Sequence, residues 1–145
     1  MRSLQQQAEH LLERIEGLKL ARRKVLILCG RPLSGKTLLA REACKQGNAT
    51  YVDVSVDLLP NVTSPVLGAY GPDDLVKWIR RRVRSSGFLC IDEIEPLLAT
   101  FGEEGARNFF RILGSIEPKQ PVVVLTRLAQ LVEDSGFPDD RILRV

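Results

Sequence analysis

Short apolar runs alternate with segments of helical periodicity along this chain of 145 residues. The runs at 25–29, 88–91 and 122–125 are continuous, which is typical of strands that are buried on both faces of a parallel sheet. Two shorter runs, at 51–54 and 141–145, predict two further strands.

The segments between these runs place apolar residues at the spacing of an α-helix face. Their pattern predicts helices over 2–20, 36–46, 71–84, 103–116 and 128–134. Strands that alternate with helices predict an α/β fold of three layers, a five-stranded parallel sheet with helices on both faces. We divide the chain into an N-terminal amphipathic helix, 1–21, and a core, 22–145.

The composition is that of a globular protein, with 44% hydrophobic and 27% charged residues and a net charge of +3. No apolar run approaches the roughly 20 residues that a membrane-spanning helix needs, and the first residues lack the apolar segment of a signal peptide. Cys29 and Cys90 lie in apolar runs, and the three cysteines lack metal-ligand spacing. We therefore expect reduced core thiols and a cytoplasmic protein without membrane contact.

Residues 30–37 match the phosphate-binding motif G-x-x-x-x-G-K-[ST], between a predicted strand and a predicted helix. Glycines allow successive backbone N–H groups to turn toward one phosphate chain, and the helix N-terminus adds its dipole. A lysine supplies a point charge and a threonine hydroxyl suits Mg²⁺. The alternative is an ordinary glycine-rich turn. The predicted nucleotide-binding residues are Gly30, Arg31, Pro32, Leu33, Ser34, Gly35, Lys36, Thr37 and Leu38, with Thr37 also a metal ligand and Lys36 also catalytic.

The third predicted strand ends in two carboxylates, Asp92 and Glu93. We expect Asp92 to meet the phosphate loop across the tops of adjacent strands and to hold the water shell of the Mg²⁺ on Thr37. Glu93, the next residue, points elsewhere and is predicted to orient or deprotonate the water that attacks the γ-phosphate. A solvated strand end is the alternative interpretation.

With both motifs in place, the chain resembles the core of AAA-type P-loop ATPases. The resemblance lies in residues 30–37, 89–95 and 122–127 and extends over about 22–145. It implies ATP with Mg²⁺ as the bound species and an oligomeric ATPase that hydrolyses ATP to ADP. The G-protein motif Asn-Lys-x-Asp is absent from the sequence, which favours ATP over GTP.

The resemblance also implies two residues that respond to the γ-phosphate. Thr126 matches the family's polar sensor by residue type, although Arg127 stands where Asn is commonest, and an ordinary strand end is the alternative. Family members offer an arginine finger to a neighbouring subunit just before the last core strand, where this chain has Arg141. Arg107 and Arg111 are weaker candidates for the finger.

Family members continue into a helical lid, whereas this sequence ends at Val145, so we expect no lid domain. A small lidless core with a leading helix is similar to the small P-loop family of BREX phage-defence systems, BrxF. That similarity implies bacterial defence against phage, together with larger protein partners.

Three functions remain open on the sequence. The first is an ATPase that acts as a homo-oligomer, the second a nucleotide-controlled binding module with little turnover, and the third a small-molecule kinase. Nucleic acid is an uncertain partner, because the basic stretch 77–84 also fits a solvated helix or a subunit contact.

Overall fold

Five parallel strands form the centre of the molecule in the computed structural model, which describes residues 3–31, 34–62, 69–85 and 87–145. The strands lie in the order β2-β3-β4-β1-β5. Their bounds are β1 Val25–Cys29, β2 Ala49–Asp53, β3 Phe88–Asp92, β4 Val122–Thr126 and β5 Ile142–Arg144.

Helices cover both faces of this sheet. Their bounds are α1 Leu4–Leu18, α2 Lys36–Gln46, α3 Val54–Asp57, α4 Pro72–Arg80, α5 Glu95–Leu113 and α6 Ala129–Asp134, with short 3-10 turns at Leu59–Asn61 and Asp139–Arg141. Helices α1 and α2 share a hydrophobic cluster with one face, and α3 to α6 share a larger cluster with the other. This is a three-layer α/β fold with a five-stranded parallel sheet and helices on both faces, which confirms the predicted fold class.

The continuous apolar runs are explained by burial on both faces. In β1, Ile27 packs into the larger cluster, whereas Leu26 and Leu28 pack into the cluster under α1 and α2. All five residues of β1 are buried, as are those of β3 and β4. Because successive side chains of a strand point to opposite faces, such a strand needs no polar alternation.

The strand order differs from one expectation. We expected the phosphate loop after β1 and Asp92 after β3 to end adjacent strands, but β4 lies between them. Cys29 at the end of β1 pairs with Thr126 at the end of β4, and Ile91 of β3 pairs with Val124 of β4. Strand pairing is set by contacts between distant segments, so local patterns do not reveal it.

The helix after β3 also begins earlier than predicted. It starts at Glu95 with Pro96 in its first turn, a position that tolerates proline because the missing N–H has no helical partner there. Gly102, with φ of 76° and ψ of 173°, interrupts it, so the predicted helix from 103 is its second half. None of the helices in the described ranges is long and apolar enough to cross a membrane.

Candidate functional site

The phosphate loop depends on its two glycines for different reasons. Gly35, just before α2, has φ of 90°, a left-handed conformation that favours glycine. A Cβ on Gly30 would lie 2.6 Å from Ser34 Oγ, which can rotate away, and 3.0 Å from the backbone oxygen of Val145, so a side chain there would press on the backbone after β5. Pro32 and Leu33, two of the predicted nucleotide-binding residues, lie outside the described residues.

Lys36 is the first residue of α2, and its ammonium group points back into the loop. Its Nζ donates hydrogen bonds to the backbone oxygens of Gly30 and Arg31, both at 2.9 Å, and lies 3.5 Å from Ser34 Oγ. A cation is therefore held at the centre of the loop by carbonyl groups. Phosphate oxygens are stronger acceptors of a charged donor than neutral carbonyls.

Thr37 and Asp92 meet at the end of the loop. Thr37 Oγ1 lies 2.7 Å from Asp92 Oδ2, and Asp92 is almost fully buried, with 6% of its surface exposed. Mg²⁺ prefers hard oxygen ligands and keeps several waters, so one hydroxyl and one carboxylate fit it when phosphate oxygens complete the shell. The donor set therefore fits the predicted metal. The described residues contain no cluster of three or more His, Cys, Asp or Glu that would indicate another metal site.

Tyr51, which the sequence pattern did not single out, contacts the same carboxylate. Its hydroxyl donates to Asp92 Oδ2 at 2.5 Å, from the neighbouring strand β2. The guanidinium of Arg41, one helical turn after Thr37, stacks on the Tyr51 ring with its central carbon 4.7 Å from the centroid. Burial, and then the hydrogen bond to Asp92, raise the pKa of Tyr51, so the phenol remains a proton donor to this carboxylate.

Glu93, next to Asp92, has an unusual backbone conformation. Its φ of 59° is the one positive φ outside glycine in the described residues, and its N–H donates to Asp92 Oδ1 at 2.8 Å. Partial desolvation, and then the negative charges of neighbouring carboxylates beginning with Asp92, raise the pKa of Glu93, whereas Lys36 lowers it. A left-handed conformation at a residue other than glycine costs about 1 kcal/mol or more and is concentrated at functional sites.

Thr126 and Arg127 lie at the carboxyl end of β4, on the same edge of the sheet as the phosphate loop. Thr126 is fully buried, and its Oγ1 accepts the N–H of Leu128 at 3.1 Å, which fits the strand-end interpretation. The backbone N–H of Arg127 donates to Glu95 Oε1 at 3.1 Å and so attaches β4 to the start of α5. The Arg127 side chain is exposed, and no carboxylate in the described part of the chain forms an ion pair with it.

Arg141, the predicted arginine finger, is held elsewhere. It is 8% exposed, and its guanidinium donates to the backbone oxygens of Arg23 at 3.0 Å and Gly114 at 2.9 Å. It also lies over the ring of Phe137. These contacts join the end of α5 to the segment before β1, so they favour a structural role over the predicted finger. Of the weaker candidates, Arg107 pairs with Glu103 at 3.0 Å.

Two clefts flank the phosphate loop. The first, of about 640 Å³, is lined by Gly35, Lys36, Thr37, Leu38, Asp92, Glu93, Glu95, Pro96, Ala99 and Arg127. This cleft therefore brings together two of the predicted catalytic residues, Lys36 and Glu93, with the predicted metal ligands and Arg127. The second, of about 440 Å³, is lined by Gln7, His10, Ser34, Leu39, Leu143, Arg144 and Val145. Arg141 lines neither cleft, nor does Thr126.

Neither a family model nor a curated protein matches the sequence. One solved structure that matches is that of PCH-2 from C. elegans, with 13% sequence identity and a TM-score of 0.40. The match covers 94% of this chain and 40% of that chain, so this chain spans less than half the length of PCH-2. Similarity at this level says nothing about activity.

Proposed function

We propose that this chain binds ATP with Mg²⁺ on the phosphate loop and hydrolyses it to ADP and phosphate. The observation that carries the proposal is the 2.7 Å contact between Thr37 Oγ1 and Asp92 Oδ2, two residues 55 positions apart. It supports the proposal because two hard oxygen atoms lie beside a lysine and a helix N-terminus, which is the combination that a nucleoside triphosphate with its metal requires.

The phosphate chain would lie along the loop, at the N-terminus of α2. Lys36 would exchange its bonds to the backbone oxygens of Gly30 and Arg31 for bonds to the β- and γ-phosphates. Thr37 would ligate Mg²⁺ and Asp92 would hold its water shell. Mg²⁺ would supply positive charge to the oxygens of the β- and γ-phosphates. The second cleft adjoins Ser34, and we assign the nucleoside to it.

Glu93 would position the attacking water and accept its proton. The water oxygen forms a bond to the γ-phosphorus as the bond from phosphorus to the β,γ-bridging oxygen breaks, which leaves ADP and phosphate. The pKa of Glu93 is raised toward neutral pH, which favours transfer of a proton to and from its carboxylate. Its exposed position in the first cleft leaves room for the water.

Arg127 replaces Arg141 in this proposal as the arginine that meets the γ-phosphate. It lines the same cleft as Lys36 and Glu93, and its side chain has no carboxylate partner among the described residues. Its backbone is fixed by Glu95. A guanidinium held at this point would neutralise charge that develops on the phosphoryl group.

Two substitutions with matched controls test binding and turnover separately. Lys36→Ala should abolish measurable ATP binding by calorimetry in the presence of Mg²⁺, whereas Lys45→Ala on the same helix should not. Glu93→Gln should bind ATP normally and release phosphate at least about 100-fold more slowly, the contribution typical of a general base. Glu104→Gln, an exposed residue of α5, is its control.

The outcomes separate the alternatives. Wild-type protein that binds no nucleotide with Mg²⁺ would refute the proposal. Binding without phosphate release would instead support a nucleotide-controlled module, and labelled phosphate on an added hydroxyl acceptor would support a kinase. Normal hydrolysis by the Glu93→Gln variant would remove Glu93 from the mechanism.

We extend the proposal, on the resemblance in sequence, to an oligomer with larger protein partners in a bacterial phage-defence system of the BREX type and to a cytoplasmic location. Light scattering with and without ATP and Mg²⁺ tests the assembly. A specific activity that rises steeply with protein concentration would support active sites completed by a neighbouring subunit. A constant specific activity would contradict such shared sites.

A further inference from the structure

Three basic segments lie side by side at the amino ends of the strands, on the edge of the sheet opposite to the phosphate loop. Residues 19–24 lead into β1, residues 117–121 into β4, and residues 80–85 toward β3. They are far apart in sequence. They are neighbours in the fold because β4 lies between β1 and β3.

Hydrogen bonds and an ion pair join these segments into one surface. The N–H of Val122 donates to the backbone oxygen of Lys24 at 2.8 Å. The N–H of Arg84 donates to Gln120 Oε1 at 2.6 Å, and Arg22 pairs with Glu117 at 3.4 Å. The basic side chains are therefore carried on a backbone that is fixed across three strands.

We call this surface the basic edge and define it as residues 19–24, 80–85 and 117–121. It carries nine basic side chains and one acidic one, a net charge of +8, in a chain whose total is +3. The basic residues are Lys19, Arg22, Arg23, Lys24, Arg80, Arg81, Arg82, Arg84 and Lys119. The remainder of the chain is thus net negative, and the charge of the molecule is strongly asymmetric.

Most of these cations have no carboxylate partner in the described part of the chain. The ion pairs found on the basic edge are those of Lys19 with Glu16 and of Arg22 with Glu117. Arg80, Arg81 and Arg84 are exposed. Cations packed together without counter-charges repel one another, and a bound polyanion removes that repulsion and releases counterions.

The chemistry of the basic edge suits a partner that presents phosphate groups better than it suits a protein partner. Interfaces between proteins have an apolar and aromatic centre, but Leu20 is the large exposed hydrophobic residue of this surface and lies within a run of cations. Trp78, beneath the stacked guanidinium of Arg82, is 7% exposed and so offers no face for a base. Guanidinium groups recognise phosphodiesters well.

We propose that the basic edge binds the phosphate backbone of a nucleic acid without reading its bases. Five-residue strands separate the basic edge from the nucleotide cleft, a distance of roughly 16 Å at the usual rise per residue. Both surfaces are therefore accessible at once. The proposal does not depend on ATP hydrolysis, so it stands or falls separately from the proposed function.

The test compares two double variants of the full chain that have the same net charge. One is Arg80→Ala with Arg81→Ala on the basic edge, and the other is Arg107→Ala with Arg111→Ala on α5. Fluorescence anisotropy with a labelled mixed-sequence duplex, and with a single strand, gives the affinity over a series of KCl concentrations. Circular dichroism and thermal melting confirm that both variants fold.

We expect wild-type protein to bind duplexes of unrelated sequence with similar affinity and a strong salt dependence. The basic-edge variant should bind about tenfold more weakly, a change of about 1.4 kcal/mol, and the slope of log K against log salt should fall by about 2. The α5 variant should match wild type. No binding by wild type, equal losses in both variants, or a salt-independent affinity would each overturn the proposal. A basic-edge variant that lost binding to an acidic protein but kept its affinity for nucleic acid would also overturn it.

Discussion

Substitution of Arg141 by methionine separates a structural role from an arginine finger. Methionine keeps most of the apolar volume but removes the donors that now bond to the backbone oxygens of Arg23 and Gly114. Both bonds come from a charged donor that is 8% exposed. A finger, in contrast, must be free to leave its own subunit, so its removal should cost activity and little stability.

The expected loss of stability is large. Hydrogen bonds from charged donors contribute about 1.5–3 kcal/mol each, and two acceptors would be left unpaired near the end of α5 and the start of β1. We therefore expect Arg141→Met to lower the free energy of unfolding by about 3–5 kcal/mol, out of the 5–15 kcal/mol typical of a domain. With a urea m-value of about 2 kcal/mol per molar, the midpoint should fall by about 2 M.

Equilibrium urea unfolding followed by circular dichroism measures this midpoint. Arg141→Lys, which keeps the charge but cannot form both bonds with the same geometry, should lie between methionine and wild type. A methionine variant with the wild-type midpoint would refute the reasoning. If that variant also lost ATPase activity and regained it when mixed with Lys36→Ala subunits, Arg141 would be the finger after all.

Three further predictions concern the cleft. Arg127→Ala should weaken ATP binding about tenfold, or about 1.4 kcal/mol, with little effect on ADP in the same calorimetric titration; equal losses for both nucleotides would contradict a contact with the γ-phosphate. Tyr51→Phe should lower the free energy of unfolding by about 1.5 kcal/mol and raise the Mg²⁺ concentration needed for half-maximal activity, because Asp92 loses the donor that holds it toward Thr37. The control is Tyr70→Phe, which removes a hydroxyl that bonds to a backbone oxygen. An unchanged Mg²⁺ dependence in Tyr51→Phe would contradict this role. The pKa of Glu93 is raised and its charged form accepts the proton, so kcat should fall as the pH is lowered, at a higher pH than an ordinary glutamate would give. Stopped assays across pH should show no such decline for the Glu93→Gln variant. A decline that persisted in this variant would have to be assigned to another group.

The parts of the fold that depend on local pattern were predictable from the sequence. The phosphate loop, the strand before it and the helix Lys36–Gln46 after it follow from one contiguous motif and its flanks. Double burial of β1, β3 and β4 follows from their continuous apolar composition. These features need no knowledge of which strand pairs with which.

Features that depend on strand order were not predictable in the same way. Tyr51 contacts Asp92 because β2 pairs with β3, and nothing in the residues around Tyr51 indicates that neighbour. The basic edge arises because β4 pairs with both β1 and β3, which places residues 117–121 in contact with residues 19–24 on one side and 80–85 on the other. Arg141 lies in the region where a finger is expected, but its burial comes from contacts with α5 and the segment before β1.

The charges of the first cleft give a physical reason why the proposed nucleotide would bind together with its metal. The carboxylates of Asp92, Glu93 and Glu95 line it together with the cations Lys36 and Arg127. A triphosphate that entered without Mg²⁺ would bring several negative charges toward three carboxylates and two cations, and the repulsion would offset much of the contact with the loop. Under the proposed function, the divalent ion would reverse that balance at the point where Asp92 contacts Thr37 and Tyr51. The acidic strand end would then do more than hold the ion, because it would discriminate against free nucleotide and make binding conditional on the metal.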